Sequence, residues 1–258
     1  MVNLDLINMK PTENWWDRKN PDLITIYQET QRICENIAVP VTEKVTWTED
    51  TEQFFSDKSK DGNVIVEPLD TVSSLIKWSK FGKTAILNMA SMKRPGGGVA
   101  NGARAQEECL FRCSNLYHIP QSMYPLQLDD SIYSKDVSFV RDGDYNILDN
   151  PVMCDVITIP AINLNTDDGK SLGDKYESYM LDKMFYMLNS ALLSGCDNII
   201  LGAWVCGVFN NNPEIVAELF KETLEGDIKN YYKNIVFAVI NDHNSVANNY
   251  EIFKKILG

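Results

Sequence analysis

Apolar and polar positions along this chain follow two rhythms. In the run DLITIYQETQRICENI, residues 22–37, Leu23, Ile26, Tyr27, Thr30, Ile33, Cys34 and Ile37 recur at i, i+3, i+4 spacing behind Asn20 and Pro21. That spacing predicts an amphipathic helix with one packed face. Beyond it, short β-rich runs alternate with helical ones: strands are predicted over 64–66, 85–90, 152–159, 198–203 and 234–240. Helices are predicted over 71–80, 103–116, a long stretch ending at Leu193, and 213–224, with a Pro- and Tyr-rich connection between 116 and 152. The runs NIILGAW and NIVFAVI are continuously apolar, as expected of strands in a mainly parallel sheet covered by helices on both faces. The pattern therefore predicts a three-layer α/β/α sandwich. No repeat or linker divides it, so residues 1–258 are read as one domain, with 1–60 an N-terminal helical extension and 61–258 the core. Residues 1–20, carrying Trp15 and Trp16, are expected to wrap over the body.

Composition narrows the function. The chain is 44% apolar and 23% charged, which excludes a disordered protein, and 258 residues supply ample core. Thirty-six acidic against 24 basic residues leave a net charge of -12, which repels nucleic-acid backbones and anionic lipid. Nonspecific nucleic-acid binding is not expected. An anionic ligand would have to be held locally, by backbone amides and helix N-termini. The longest apolar stretches, such as 199–205, are too short for a membrane span, and the N-terminus lacks the blocks of a signal peptide. Six cysteines with no CxxC pair suggest reduced thiols and a cytoplasmic location. Cys109, Cys113 and His118 read as buried thiols and a histidine in preference to a zinc site, since the chain has only two histidines. No metal or cofactor is expected.

Two loops follow strand ends, where open α/β sheets bind their ligands. The first reads SMKRPGGGVANGARAQEE: Gly96, Gly97 and Gly98 let backbone amides approach a ligand, and Gly102 releases the chain into a helix whose N-terminus favours anions. The second reads VCGVFNNNPEIVAELF, with Gly207 in the turn, Asn212 as the N-cap and Pro213 at the first helical position. Together they could clasp a diphosphate, with Phe209 offering an apolar face to a sugar or base. Either loop alone reads as an ordinary turn that needs glycine. Neither is a GxGxxG fingerprint, and the chain has no GxxxxGK[ST] or GxSxG motif.

The first loop leads into adjacent acids. On the helix 103–116, Ala105, Cys109, Cys113 and Leu116 form the core-facing stripe, and Glu108 lies at its margin in the second turn. Desolvation there would favour the protonated form of Glu108 and suit a general acid. The plain alternative is a solvated surface where Glu108 pairs with Arg112 and Arg104 with Glu107. Neighbouring helical residues point about 100° apart, so the two acids cannot oppose each other across a glycosidic bond. One would transfer protons while the other positions the substrate.

The segment RPGGGVANGARAQEECLFRCSNLY resembles the signature of poly(ADP-ribose) glycohydrolases, a GGG tripeptide followed after a short spacer by QEE. The similarity is to the compact bacterial-type branch, on a macrodomain fold with a mixed, mainly parallel sheet. It continues through LNMAS, SIYSKDVSFVRDGD, VITIPAINL and LGAWVCGVFNNNPEIVAELF. The resemblance implies that Glu108 is the catalytic acid/base and that Glu107 orients the distal ribose. It implies substrate contacts at Asn88, Gly96, Gly97, Gly98, Val99, Asn101 and Gln106, and at Gly207, Val208, Phe209 and Asn210 in the second loop. The implied partners are ADP-ribose, poly(ADP-ribose) and ADP-ribosylated proteins, handled by a monomer that cleaves ribose–ribose bonds from the chain end. Two other readings use the same pocket: hydrolysis of mono-ADP-ribosyl adducts, and noncatalytic binding of ADP-ribose.

Overall fold

The structure, a computed structural model, describes residues 22–48, 51, 53, 60–160, 162–207, 209, 211–241 and 248–258. Trp15, Trp16, Val208 and Asn210 lie outside the described residues. Its elements are α1 (Leu23–Cys34), β1 (Val41–Thr46), β2 (Asn63–Glu67), α2 (Thr71–Trp78), β3 (Thr84–Ala90), α3 (Gln106–Cys113) and β4 (Asp130–Arg141). They continue with β5 (Ile147–Pro160), α4 (Asp167–Lys170), α5 (Tyr176–Leu193), β6 (Asn198–Leu201), α6 (Pro213–Glu225), β7 (Asn234–Ala238) and α7 (Asn249–Leu257).

Among the described residues, seven strands form one sheet in the order β1-β4-β5-β3-β6-β7-β2. The pairs from β5 through β3, β6 and β7 to β2 are parallel, while β4 runs antiparallel to both β1 and β5. The sheet is mixed and mainly parallel, as expected. Its strands alternate sides: Ile86, Val156, Ile200 and Val236 pack with α2 and α3, whereas Leu87, Ile157, Ile199, Ile235 and Phe237 pack with α5, α6 and α7. Two apolar layers thus cover the two faces, and the strands are buried on both sides as their continuous apolar runs required.

The N-terminal helix starts where its cap chemistry places it, with Asp22 Oδ1 accepting from Thr25 N at 3.1 Å. α1 does not stand apart from the core. Thr30 Oγ1 donates to Arg112 O at 2.5 Å, and Arg141 Nε donates to Thr30 Oγ1 at 2.9 Å, so α1 clamps α3 from outside. Residues 41–46, within the expected extension, add the edge strand β1 beside β4.

β1, β4 and α7 were not among the predicted elements. The segment VTEKVT of β1 is exposed or half-buried throughout and shows no apolar face. β4 lies inside the stretch read as a connection; Asp136 sits at φ 56° and the register shifts between Ser134 and Val137, so its sequence does not alternate cleanly. The helix expected over 103–116 is shorter, because the backbone is extended at Ala105 before Gln106 and again at Ser114 after Cys113.

Candidate active site

The first glycine loop joins β3 to α3, and the first residue of α3 fastens the two together. Gln106 Oε1 accepts from Met89 N at 3.0 Å, while Gln106 Nε2 donates to Leu87 O at 2.7 Å and to Thr71 Oγ1 at 3.2 Å. Expected as a substrate contact, Gln106 is committed at both ends of its amide and sets the position of the helix. Gly97 shows why this loop needs glycine. Its φ is +52°, and a Cβ there would lie 2.6 Å from Glu108 Oε1 and 3.1 Å from Glu107 Oε2.

The chain thus folds around the two carboxylates. Glu107 is 3% exposed and Glu108 7% exposed, both in the first turn of α3. For Glu108 this corrects the second-turn position, which assumed a helix starting at Ala103. Glu108 Oε1 accepts from Gly98 N at 2.8 Å, and Oε2 accepts from Ala105 N at 2.9 Å, closing the loop onto the helix start. Glu107 accepts from Ser91 N at 2.9 Å, from Gly96 N at 3.2 Å and from Asn88 Nδ2 at 3.4 Å. Every one of these donors is neutral. Burial pushes the Glu107 carboxyl up to about 8, with the neighbouring Glu108 charge adding to the rise against the pull of the Ser91 amide. Glu107 therefore sits in a proton-holding environment.

Neither surface pairing expected for these acids forms. Arg112 is fully buried and turns away to Ala103 O and to Leu23 O, the latter at 3.3 Å, with its guanidinium over the Tyr145 ring. Arg104 is exposed and makes no ion pair among the described residues. Cys109, Cys113 and Leu116 are buried as their stripe predicted, whereas Ala105 is exposed at the N-cap.

The second loop follows β6. Val205 sits at φ 64°, an unfavourable conformation for a β-branched residue, and is held there by Asn211. Asn211 donates from Nδ2 to Val205 O at 3.1 Å, to Phe209 O at 3.1 Å and to Ile162 O at 2.9 Å, while its Oδ1 accepts from Tyr176 OH at 2.6 Å. As predicted, Asn212 caps α6 by accepting from Glu214 N at 2.8 Å, with Pro213 at the first helical position.

The two loops wall a cavity of about 810 Å³, within the range of roughly 300–1,000 Å³ usual for ligand clefts. It brings together Gly97, Gly98, Gln106, Glu107, Glu108, Gly207 and Phe209 from the predicted set. Gly96 and Val99 are buried behind the loop, Asn101 is exposed outside the lining, and Asn88 is fully buried behind Glu107. Asn88 therefore reaches the cavity through Glu107 and does not line it. Its Nδ2 also donates to Thr158 Oγ1 at 3.2 Å.

The model of the microbial-type PARG catalytic domain matches residues 24–142, a span holding the first glycine loop and both carboxylates. Over that span the chain is similar to the microbial-type PARG catalytic domain. Poly(ADP-ribose) glycohydrolase from Thermomonospora curvata is similar over 91% of this chain and 98% of its own, at 26% identity and a TM-score of 0.74. The same enzyme bound to the inhibitor ADP-HPD gives 25% identity and a TM-score of 0.73, with the same coverage. The Deinococcus radiodurans enzyme in complex with ADP-ribose is similar over 96% of this chain and 92% of its own, at 26% identity and a TM-score of 0.70. No curated protein matches in sequence.

Several residues around the cleft were invisible to sequence reasoning. Ser91, through its amide, and Asn211, through its side chain, hold the two loops in shape, yet no local pattern selects Asn211 from the run Asn210, Asn211, Asn212. Asp70, which lines the cavity, carries one sequence signal: it precedes the helical run of α2 and caps it through Val72 N and Ser73 N, at 2.9 and 3.0 Å. Among the described residues, no group of three or more His, Cys, Asp or Glu side chains could hold a metal, and no helix is long and apolar enough to cross a membrane.

Proposed function

We propose that this protein is a microbial-type PARG that hydrolyses the ribose–ribose O-glycosidic bond of poly(ADP-ribose) from the chain end, as one monomeric glycohydrolase domain, with Glu108 as its general acid/base. The observation that carries this reading is the placement of two adjacent buried carboxylates around Gly97, in the wall of a cavity edged by two glycine loops. The terminal ADP-ribose unit occupies the cavity, its distal ribose at Glu107 and its diphosphate against the second loop, where Gly207 and Phe209 stand. Phe209 packs on the ribose. Asn88 orients Glu107 from behind.

Glu108 gives a proton to the departing 2′ oxygen as the bond to the anomeric carbon breaks, and the diphosphate eases the positive charge on that carbon. Glu108 then takes a proton from the water that attacks it, which returns the enzyme to its starting state. No cofactor takes part. The six free, buried thiols suit a reducing cytoplasm. Two relatives support the ligand by their own complexes, with ADP-ribose and with ADP-HPD.

The test is Glu108→Gln. Release of ADP-ribose from polymer should fall by about 10²- to 10⁴-fold, the usual worth of a general acid/base, while ADP-ribose binding stays within a few-fold. Full turnover by the variant would sink the assignment.

A further inference from the structure

Three cations stand on the rim of the cavity: Lys93, Arg94 and Arg104, all exposed. They come from the two ends of the loop that wraps Glu107 and Glu108. None makes an ion pair among the described residues. The acids that share the lining are Asp70, Glu107 and Glu108, each already accepting backbone N–H bonds. Arg94 is aimed by the loop itself, for its Nε donates to Gly97 O at 2.8 Å, and Gly97 is the residue lying against both carboxylates. In a chain of net charge -12, three unpaired cations beside the proposed acid form a local positive field that the whole-molecule charge opposes.

Resting on the function proposed above, the chemistry of the bond says what such a field would meet. The second loop takes the diphosphate of the bound unit. The oxygen protonated by Glu108 belongs to the adenosine ribose of the preceding unit, and that ribose carries its own diphosphate on the 5′ carbon. It leaves from the mouth of the cleft, past the rim. We infer that Lys93, Arg94 and Arg104 form a leaving-group subsite that grips the diphosphate of the polymer unit departing from the bound ADP-ribose. Its consequence is selectivity for polymer over substrates with an uncharged leaving group.

The experiment compares two substrates, poly(ADP-ribose) and an ADP-ribosyl glycoside of a neutral phenol, with wild type and with the triple variant Lys93→Gln, Arg94→Gln, Arg104→Gln. The inference expects kcat/KM on polymer to fall about tenfold at low salt, mostly through KM, and its salt dependence to flatten by about 0.7 in log–log slope per lost phosphate contact. Turnover of the neutral glycoside and affinity for ADP-ribose should stay within about twofold, inside the range that loss of exposed charges gives. Arg94→Lys with Lys93→Arg, which keeps both charges, should retain most of the polymer activity. Equal losses on both substrates would mean that the cations serve the bound unit, and an unchanged polymer KM would mean that they serve none; either overturns the inference. Wild-type protein that cleaves the glycoside but not the polymer would instead sink the polymer reading itself.

Discussion

Glu67 and Glu107 are both buried carboxylates on the same side of the sheet as α2 and α3, yet their surroundings differ in kind. Glu67 receives Lys77 Nζ at 2.5 Å, with Ser74 Oγ at 2.6 Å and Trp78 Nε1 at 2.9 Å. Asp155, paired with Ala85 at the start of β3 and so away from the cleft, is treated alike, with Lys83 Nζ at 2.8 Å and Tyr133 OH at 2.8 Å. Glu107 has only neutral donors, and a second carboxylate beside it. A buried acid with a cation is a finished structural unit, its charge cancelled inside the protein. A buried acid without one, facing a cavity, retains a charge problem that a ligand or a proton must solve. The protein builds both kinds, and only the second kind lines the cleft.

The comparison breaks most visibly at Lys77. Lys77→Met leaves Glu67 buried without its cation and should cost about 3–5 kcal/mol of stability, read by denaturant unfolding, with the specific activity of the remaining folded protein unchanged. A variant that melts like wild type would show that the ion pair contributes nothing. Next is Gly97→Ala, which pushes a methyl group into Glu108 Oε1 at a φ of +52°. Its kcat/KM should drop about 100-fold by misplacing the carboxylate, while far-ultraviolet circular dichroism stays native. Retained activity would remove the constraint argued for that glycine.

A smaller effect sharpens the contrast through pH. The Glu107 carboxyl is raised from 4.5 to about 8, so between these values the folded protein holds a proton that the unfolded chain has released. Stability from this group is therefore present below about 4.5 and is lost as pH rises toward 8, with a slope of at most about 1.4 kcal/mol per pH unit for one proton. Glu107→Gln should flatten that slope in a series of chemical melts; an undiminished slope would place the titration elsewhere. The smallest effect belongs to the surface. Lys135 stands 3.8 Å from Glu43 with their side chains 42% and 60% exposed, and Lys135→Ala should change stability by less than about 0.5 kcal/mol.

Much of the fold was legible because its signals are local. The cap of α6 at Asn212 and Pro213, the continuous apolar strands and the glycine loop before the two acids each declare themselves within a few residues. β1 and β4 did not, since VTEKVT is a strand only by pairing Val41 with Lys135 through Thr46 with Asp130. Arg112 and Glu108 looked like a helical pair four residues apart, but the loop claimed the acid and α1 helped to claim the base.

What the sequence determined alone was the layer architecture and the adjacency of the glycine loop and its two acids, because periodicity, caps and turn residues act over one or two turns of chain. Only the tertiary structure decided that Glu107 is driven toward its protonated form, how Asn211 holds the second loop, and that three cations share the rim. Desolvation and hydrogen bonding depend on what packs nearby in space, and those neighbours come from strands and loops far apart in the chain.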